Sequence, residues 1–171
     1  MNVRVRRPSL DLRAAGGGVL RHDNFQIGYV TNDMARACAV FADRFGINDY
    51  QSAGGPLDGG GQMNARLVWV GDVMYELIEA SGPGSEFYTR VLDPDNFSIR
   101  FHHSGFFVYD EPTWQATLAE VAARGWKVWQ HRTIENFIKI FYAEVPELGH
   151  CLEYIFPAPD GMKFFENTPR V

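Results

Sequence analysis

The sequence predicts an α+β fold made of two tandem βαβββ modules, and two observations lead there. The first is a repeat. Gln26-Ile27-Gly28 opens a run that reaches Asp33, and 77 residues later His103-Ser104-Gly105 opens one that reaches Asp110. The same offset carries Glu76, in YELIEA, onto Glu153, in LEYIFP. Self-similarity at a fixed spacing marks a duplicated structural unit. The second observation is that strand-like and helix-like patterns follow one another in the same order in both copies, an order that places helices on one face of a sheet.

The elements follow in turn. FQIGYVTND is rich in β-branched and aromatic residues and stops at Asn32-Asp33, so it reads as a strand. Asp33 is placed to cap a helix in which Met34, Cys38, Phe41 and Phe45 recur at helical spacing, ending at Gly46. A short strand over 48–52 leads into a loop holding Gly54, Gly55, Gly59, Gly60 and Gly61. That loop lacks the GxxxxGK[ST] order and no helix follows it, so it reads as a mobile connection and not a phosphate cradle. Strands 63–70 and 73–79 are joined by Gly71-Asp72, a two-residue hairpin turn. The second copy repeats the pattern: strand 99–109, helix 112–124 ended by Gly125, then strands 126–131, 136–143 and 149–156. The first module is expected over 24–82 and the second over 99–157, with a crossover at 83–98 that includes a short helix. A flexible extension (1–23) and a tail (158–171) without periodicity flank them.

With 171 residues, 46% of them apolar and 14% aromatic, the chain can bury a real core and is globular. A net charge of -5 supplies no basic field for nucleic acid. No apolar run approaches the ~20 residues that a membrane-spanning helix needs. Arg6-Arg7 is followed by Pro8-Ser9-Leu10-Asp11, which is no export signal. Cys38 and Cys151 show no CxxC spacing and read as reduced packing thiols, so a cytoplasmic protein is expected.

Strand parity turns the repeat into a site. Side chains alternate faces along a strand. If Gln26 and His103 point into a cavity, Val30, Phe101 and Phe107 share their face, Met74 and Ile78 flank Glu76, and Cys151 and Ile155 flank Glu153. The other face then holds Ile27, Tyr29, Tyr75, Leu77, Phe106, Leu152 and Tyr154, suited to packing under helices. Both faces are apolar. Four polar groups in such a cavity are costly unless something satisfies them, and a divalent cation would.

QIGYVTND, YELIEA, HHSGFFVYD and GHCLEYI, in this order and spacing over about 24–157, resemble the vicinal oxygen chelate superfamily, which includes glyoxalases, bleomycin-resistance proteins and extradiol dioxygenases. The resemblance implies paired modules forming a cupped mixed sheet around a metal, helices outside. It also implies ligands from the first and last strand of each module: Gln26, Glu76, His103 and Glu153. His103 precedes Ser104-Gly105 as Gln26 precedes Ile27-Gly28, so His103 is the expected ligand and His102 is expected to face away.

This ligand set is similar to that of zinc-type glyoxalase I. Those enzymes carry Arg and Asn, for glutathione, four residues after the first and second ligands; this sequence has Val30 and Ala80 there, which argues against a glutathione adduct. The module also resembles methylmalonyl-CoA epimerase, whose ELLEP-like strand is close to ELIEA, but no run of Lys or Arg marks a site for CoA phosphates.

One imidazole and three oxygens suit Zn first, and also Mn, Co, Ni or Fe(II). Such an ion polarises a carbonyl and stabilises an enediolate. The resemblance suggests Glu153 as the base and Glu76 as its pseudo-symmetric partner, the pair that an isomerase, epimerase or lyase uses. Trp69, Trp126, Trp129, Phe137 and Phe141 in neighbouring strands suggest a hydrophobic or aromatic substrate. A homodimer is the expected assembly.

Two rivals belong to other classes. An extradiol-type ring-cleaving dioxygenase normally uses two histidines and one carboxylate, and only His103 qualifies. A non-catalytic resistance-type binding protein would lack the metal constellation. Of the remaining residues, His150 reads as peripheral or as a neighbour of Glu153. His22 and His131 have no partner visible in sequence, and Glu79 reads as a solvated strand end. Asp93-Pro94-Asp95-Asn96 reads as turn chemistry.

Overall fold

The computed structural model of the chain describes residues 18–171, so the basic extension through Arg4, Arg6, Arg7 and Arg13 lies outside the described residues. In the first half β1 (Asp23–Thr31) leads to α1 (Met34–Phe45), β2 (Gln51–Pro56), β3 (Gln62–Val70) and β4 (Val73–Ser81). A one-turn helix, α2 (Glu86–Thr89), crosses to the second half. There β5 (Ile99–Phe107) leads to α3 (Glu111–Ala123), β6 (Lys127–Ile134), β7 (Ile138–Val145) and β8 (His150–Pro157). The expected βαβββ order is present twice.

Helix ends form where the sequence places them. The Asp33 carboxylate accepts from the Arg36 amide at 2.9 Å, and Asp110 accepts from the Thr113 amide at 2.8 Å. Gly46 closes α1 at φ 71°, in the left-handed region that a residue without Cβ adopts freely.

The eight strands form one curled mixed sheet in the order β2-β3-β4-β1-β5-β8-β7-β6. The first strand of each half runs antiparallel to the other at the centre and pairs in parallel with the last strand of its own half. The two halves therefore pair within one chain. Residues under α1 (Met34, Ala37, Phe41, Val68, Leu77) and under α3 (Phe106, Trp114, Val121, Leu152, Tyr154) form two outer cores. The inner face carries Phe25, Val30, Met74, Ile78, Phe107, Cys151 and Ile155 as a third. Strand parity anticipated this division for most positions.

The exceptions have physical causes. The β1–β5 ladder carries a register shift at each end of the site, leaving Phe25 an extra residue in β1 and His102 an extra residue in β5. A bulge re-aims the side chains on one side of it. Phe101, expected on the cavity face, instead packs on the outer-face Tyr29 with ring centroids 6.0 Å apart, and it is half-exposed. His102, expected to face away, is buried beside His103. Trp126 and Phe141 belong to the core beneath α3, not to the cavity, while Trp69 and Trp129 pack on the inner core. Phe45 is 65% exposed, despite its helical spacing.

Three segments carry more structure than their composition suggested. The glycine-rich stretch is in part the edge strand β2, where Gly54 pairs with Asn64 and a Cβ at Gly54 would overlap the Met63 carbonyl. The tail forms a fourth helix, α4 (Pro159–Asn167), whose Phe165 is buried against Phe25 and Phe107. Beyond α4 the chain returns to β3, where the Val171 amide donates to the Trp69 carbonyl at 2.9 Å. Glu79 is not a solvated strand end: its carboxylate accepts from the Met34 amide at 3.0 Å, at the electropositive start of α1.

Candidate metal centre

Gln26, Glu76, His103 and Glu153 come together at the middle of the inner face. The register explains why. Across the antiparallel centre Gln26 lies opposite Gly105 and Gly28 opposite His103, while in the parallel pairs Gly28 lies beside Glu76 and Gly105 beside Glu153. Each half thus brings a first-strand polar side chain and a last-strand carboxylate to the same point, related by the same offset as the sequence repeat. All four are buried, from 0% exposure at His103 to 8% at Glu76.

Two glycines make the convergence possible. A Cβ at Gly28 would overlap the His103 ring, and one at Gly105 would overlap Gln26 Oε1 and stand 3.1 Å from Glu153 Oε2. They are repeat-related, so each half gives up a side chain where the other half's inward polar group lies.

The polar atoms at the centre are unpaired. His103 Nε2 is 3.3 Å from Glu76 Oε2 and 3.3 Å from Glu153 Oε2, longer than a charge-assisted hydrogen bond, and it makes an aligned hydrogen bond with neither. Gln26 Oε1 is likewise buried without a partner. Ligand atoms of Glu76, His103 and Glu153 all lie within 4.8 Å of one another. Buried polar atoms are normally satisfied, so convergent orphaned acceptors ask for a cation. Three oxygens and one imidazole nitrogen fit a divalent metal ion, and the Glu-His-Glu group can hold one.

The electrostatics of the bare site agree. Burial opposes charge on His103, but the two carboxylates outweigh it and raise its pKa to about 10. Burial also raises Glu76, against the pull of His103. Two buried carboxylates attract positive charge here, as a proton or as a metal ion.

Around this centre lies a cavity of about 140 Å³. Met63, Leu67, Ile138, Ile140, Ile155 and Phe165 make most of its wall apolar. The polar contribution comes from Tyr88, Tyr142, Gln130 and Arg132. Burial, and then the nearby Glu153 carboxylate, raise the Tyr142 hydroxyl well above its ordinary value. Sequence reasoning missed Gln130 and Arg132. A further register shift, between Trp129 and Arg132 in the β6–β7 ladder, sets their direction where parity could not see it, and Gln130 takes the left-handed region at φ 49°. Arg132 reaches from β6 to the opposite edge of the sheet, bonding the Pro56 carbonyl at 3.1 Å and Asp58 at 2.9 Å.

Other histidines stand apart. His150 is bonded to the Leu148 carbonyl at 3.0 Å, and His131 lies against Trp114 and Phe141. His22 has a partner after all, Thr117 Oγ1 at 3.0 Å. Asp93 accepts from the Asp95 and Asn96 amides, a turn as expected.

No family model and no curated protein matches this sequence. Solved structures do. Methylmalonyl-CoA epimerase from Mycobacterium tuberculosis is 15% identical with a TM-score of 0.59, covering 89% of this chain and 98% of that one. A Streptomyces coelicolor methylmalonyl-CoA epimerase variant in complex with 2-nitronate-propionyl-CoA is 16% identical, with a TM-score of 0.55 over 80% of this chain and 98% of that one. A methylmalonyl-CoA epimerase in complex with methylmalonyl-CoA and NH4+ is 16% identical, with a TM-score of 0.55 over 81% and 96%. The shared feature is the fold, the curled mixed sheet built from two βαβββ halves.

Proposed function

We propose that this protein belongs to the vicinal oxygen chelate superfamily and is a metal-dependent enzyme that moves a proton at the carbon beside a carbonyl, as an isomerase, epimerase or lyase acting on a hydrophobic small molecule. Gln26, Glu76, His103 and Glu153 hold the ion, zinc first, with Mn, Co, Ni or Fe(II) compatible. The observation that carries the reading is the pair of buried carboxylates, Glu76 and Glu153, meeting from repeat-related strands at the floor of a largely apolar cavity.

A bound divalent ion supplies Lewis acidity to the substrate carbonyl oxygen. Glu153, buried opposite Tyr142 in the β7–β8 ladder, takes the proton. Glu76, its counterpart across the pseudo-dyad, is placed to return a proton from the other side. Phe165 and the isoleucines of the wall exclude water from the carbon that loses its proton. The epimerase neighbours support the class of reaction and leave the substrate open. Val30 and Ala80, apolar and packed in or against the inner core, offer no charged or amide contact to a glutathione adduct. A cytoplasmic homodimer is the proposed setting, supported by two free cysteines and the exposed apolar Phe45 at the end of α1.

The test is metal content and isotope exchange on protein made without a histidine tag. Reconstituted protein is expected to hold about one divalent ion per chain. In heavy water, deuterium is expected to enter a branched or aromatic carbonyl compound at the carbon beside the carbonyl. Metal retention near zero overturns the reading, as does turnover of an identified substrate without exchange at that carbon. Robust turnover of the methylglyoxal–glutathione hemithioacetal would overturn the substrate class.

A further inference from the structure

We infer that His102 is a positioning residue for the metal centre: its Nδ1 accepts the Nδ1–H of His103 and so fixes the tautomer in which His103 Nε2 presents a bare lone pair to the site. The inference rests on the proposed metal centre and goes beyond it, since it assigns a role to a residue that holds no ion itself.

The geometry leaves one arrangement. His102 Nε2 faces the Phe87 carbonyl at 3.3 Å, and a carbonyl oxygen can only accept, so the Nε2 of His102 carries the hydrogen. A neutral imidazole has one N–H, so the Nδ1 of His102 is then an acceptor. It stands 3.0 Å from His103 Nδ1, which must therefore be the donor. With its hydrogen committed there, neutral His103 has its free lone pair on Nε2, the atom that faces Glu76 and Glu153. His102 is buried among the rings of Phe87, Tyr88 and Tyr142, surroundings that favour the neutral imidazole and keep that acceptor in place. Packing holds the ring in this orientation, with Phe87 edge-on at 4.7 Å and Tyr88 at 5.4 Å.

The repeat explains why this residue is a histidine. The offset of 77 carries Phe25 onto His102, and each is the extra residue at a register shift next to its half's first-strand ligand. In the first half the ligand is Gln26, whose amide oxygen is an acceptor in every state, and its neighbour Phe25 simply stacks on Phe107 at 3.6 Å. In the second half the ligand is an imidazole, with two possible tautomers, and its neighbour is a hydrogen-bond acceptor. The same bulge serves packing in one half and tautomer selection in the other. Metal-binding imidazoles commonly give their second N–H to such a partner, and losing it lowers metal affinity by about 10- to 100-fold.

Two variants separate the acceptor from the ring. His102→Phe keeps an aromatic ring and removes the acceptor, whereas His102→Asn puts Oδ1 close to where Nδ1 stood. Zinc affinity, read by chelator competition on the full chain with folding checked by thermal unfolding, is expected to fall about 10- to 100-fold in His102→Phe and to return to within a few-fold in His102→Asn. Wild-type affinity in a folded His102→Phe, or equal weakness in both variants, overturns the proposal. A second readout needs no metal: long-range nitrogen–proton NMR of the metal-free protein is expected to show His102 neutral with hydrogen on Nε2. Hydrogen on Nδ1 overturns the proposal even if zinc binds. Failure of the wild type to bind any metal, with the Nε2–H tautomer observed, would instead overturn the function proposed above and leave the His102–His103 hydrogen bond standing.

Discussion

Gly28 leaves the space that the His103 imidazole occupies. The two lie opposite each other across the β1–β5 ladder, and any Cβ at Gly28 would overlap the ring. The ring is fully buried, with Tyr142 packed edge-on at 5.2 Å, so it has nowhere to retreat. Gly28→Ala is expected to destabilise the protein by about 1–3 kcal/mol, the usual range for overpacking, and to abolish stoichiometric zinc binding. Gly105→Ala should do less, because the nearest atom is the movable Oε1 of Gln26, although Gln26 Cβ at 2.8 Å must also give way. Urea unfolding and metal analysis of both variants check this order.

Metal binding should appear as stability. An ion that binds the folded state alone adds about 2.7 kcal/mol at a hundredfold excess over its Kd. Zinc titrated into metal-free wild type is expected to raise the unfolding midpoint accordingly. Glu76→Ala, which removes one of the three clustered ligands, should lose most of that increment. Calorimetry with and without zinc measures it.

Glu153→Gln is expected to retain the fold, since the amide has nearly the shape of the carboxylate. Without a base, exchange at the carbon beside the carbonyl should fall by about 10²- to 10⁴-fold. Steady-state kinetics on an exchanging substrate, together with metal analysis of the same preparation, separates loss of the base from loss of the ion. An unchanged rate would remove Glu153 from that role.

His22 should make stability depend on pH. Burial lowers its pKa against the opposing influence of Glu120 and Asp110. The Thr117 hydroxyl donates to the Thr113 carbonyl, so its oxygen accepts from neutral His22. A histidine with a lowered folded pKa favours folding while neutral. Its contribution is therefore present above about pH 6.5, its unfolded value, and is lost as pH falls through that value toward the folded pKa. His22→Leu should flatten the stability profile in that window, as read by urea midpoints between about pH 5 and pH 7.

Helix α4 should matter to the cavity as well as to stability. Phe165 is buried against Phe25 and Phe107 and lines the cavity wall. Phe165→Ala is expected to cost about 3–5 kcal/mol, through lost burial and the void left behind. Urea unfolding gives the number. Binding of a small apolar dye to the folded variant would show the enlarged cavity.

The sequence by itself determined the repeat, the order of elements and the identity of the four residues that meet. The reason is that these depend on local facts. A strand's side chains alternate with period two, a helix begins at Asp33 or Asp110 and ends at a glycine, and a duplication keeps the same offset for Gln26 and His103 as for Glu76 and Glu153. Tertiary structure decided what depends on neighbours distant in the chain. The register shifts that turn His102 inward and Phe101 outward come from how β1 and β5 align, and neither strand encodes that alignment alone. The same holds for Gln130 and Arg132 in the cavity wall, and for α4, which covers apolar surface that exists only once the sheet has curled. Pairing of the two halves within one chain also belongs here, because a strand edge can be satisfied by any complementary edge, and only the assembled fold fixes which one it meets.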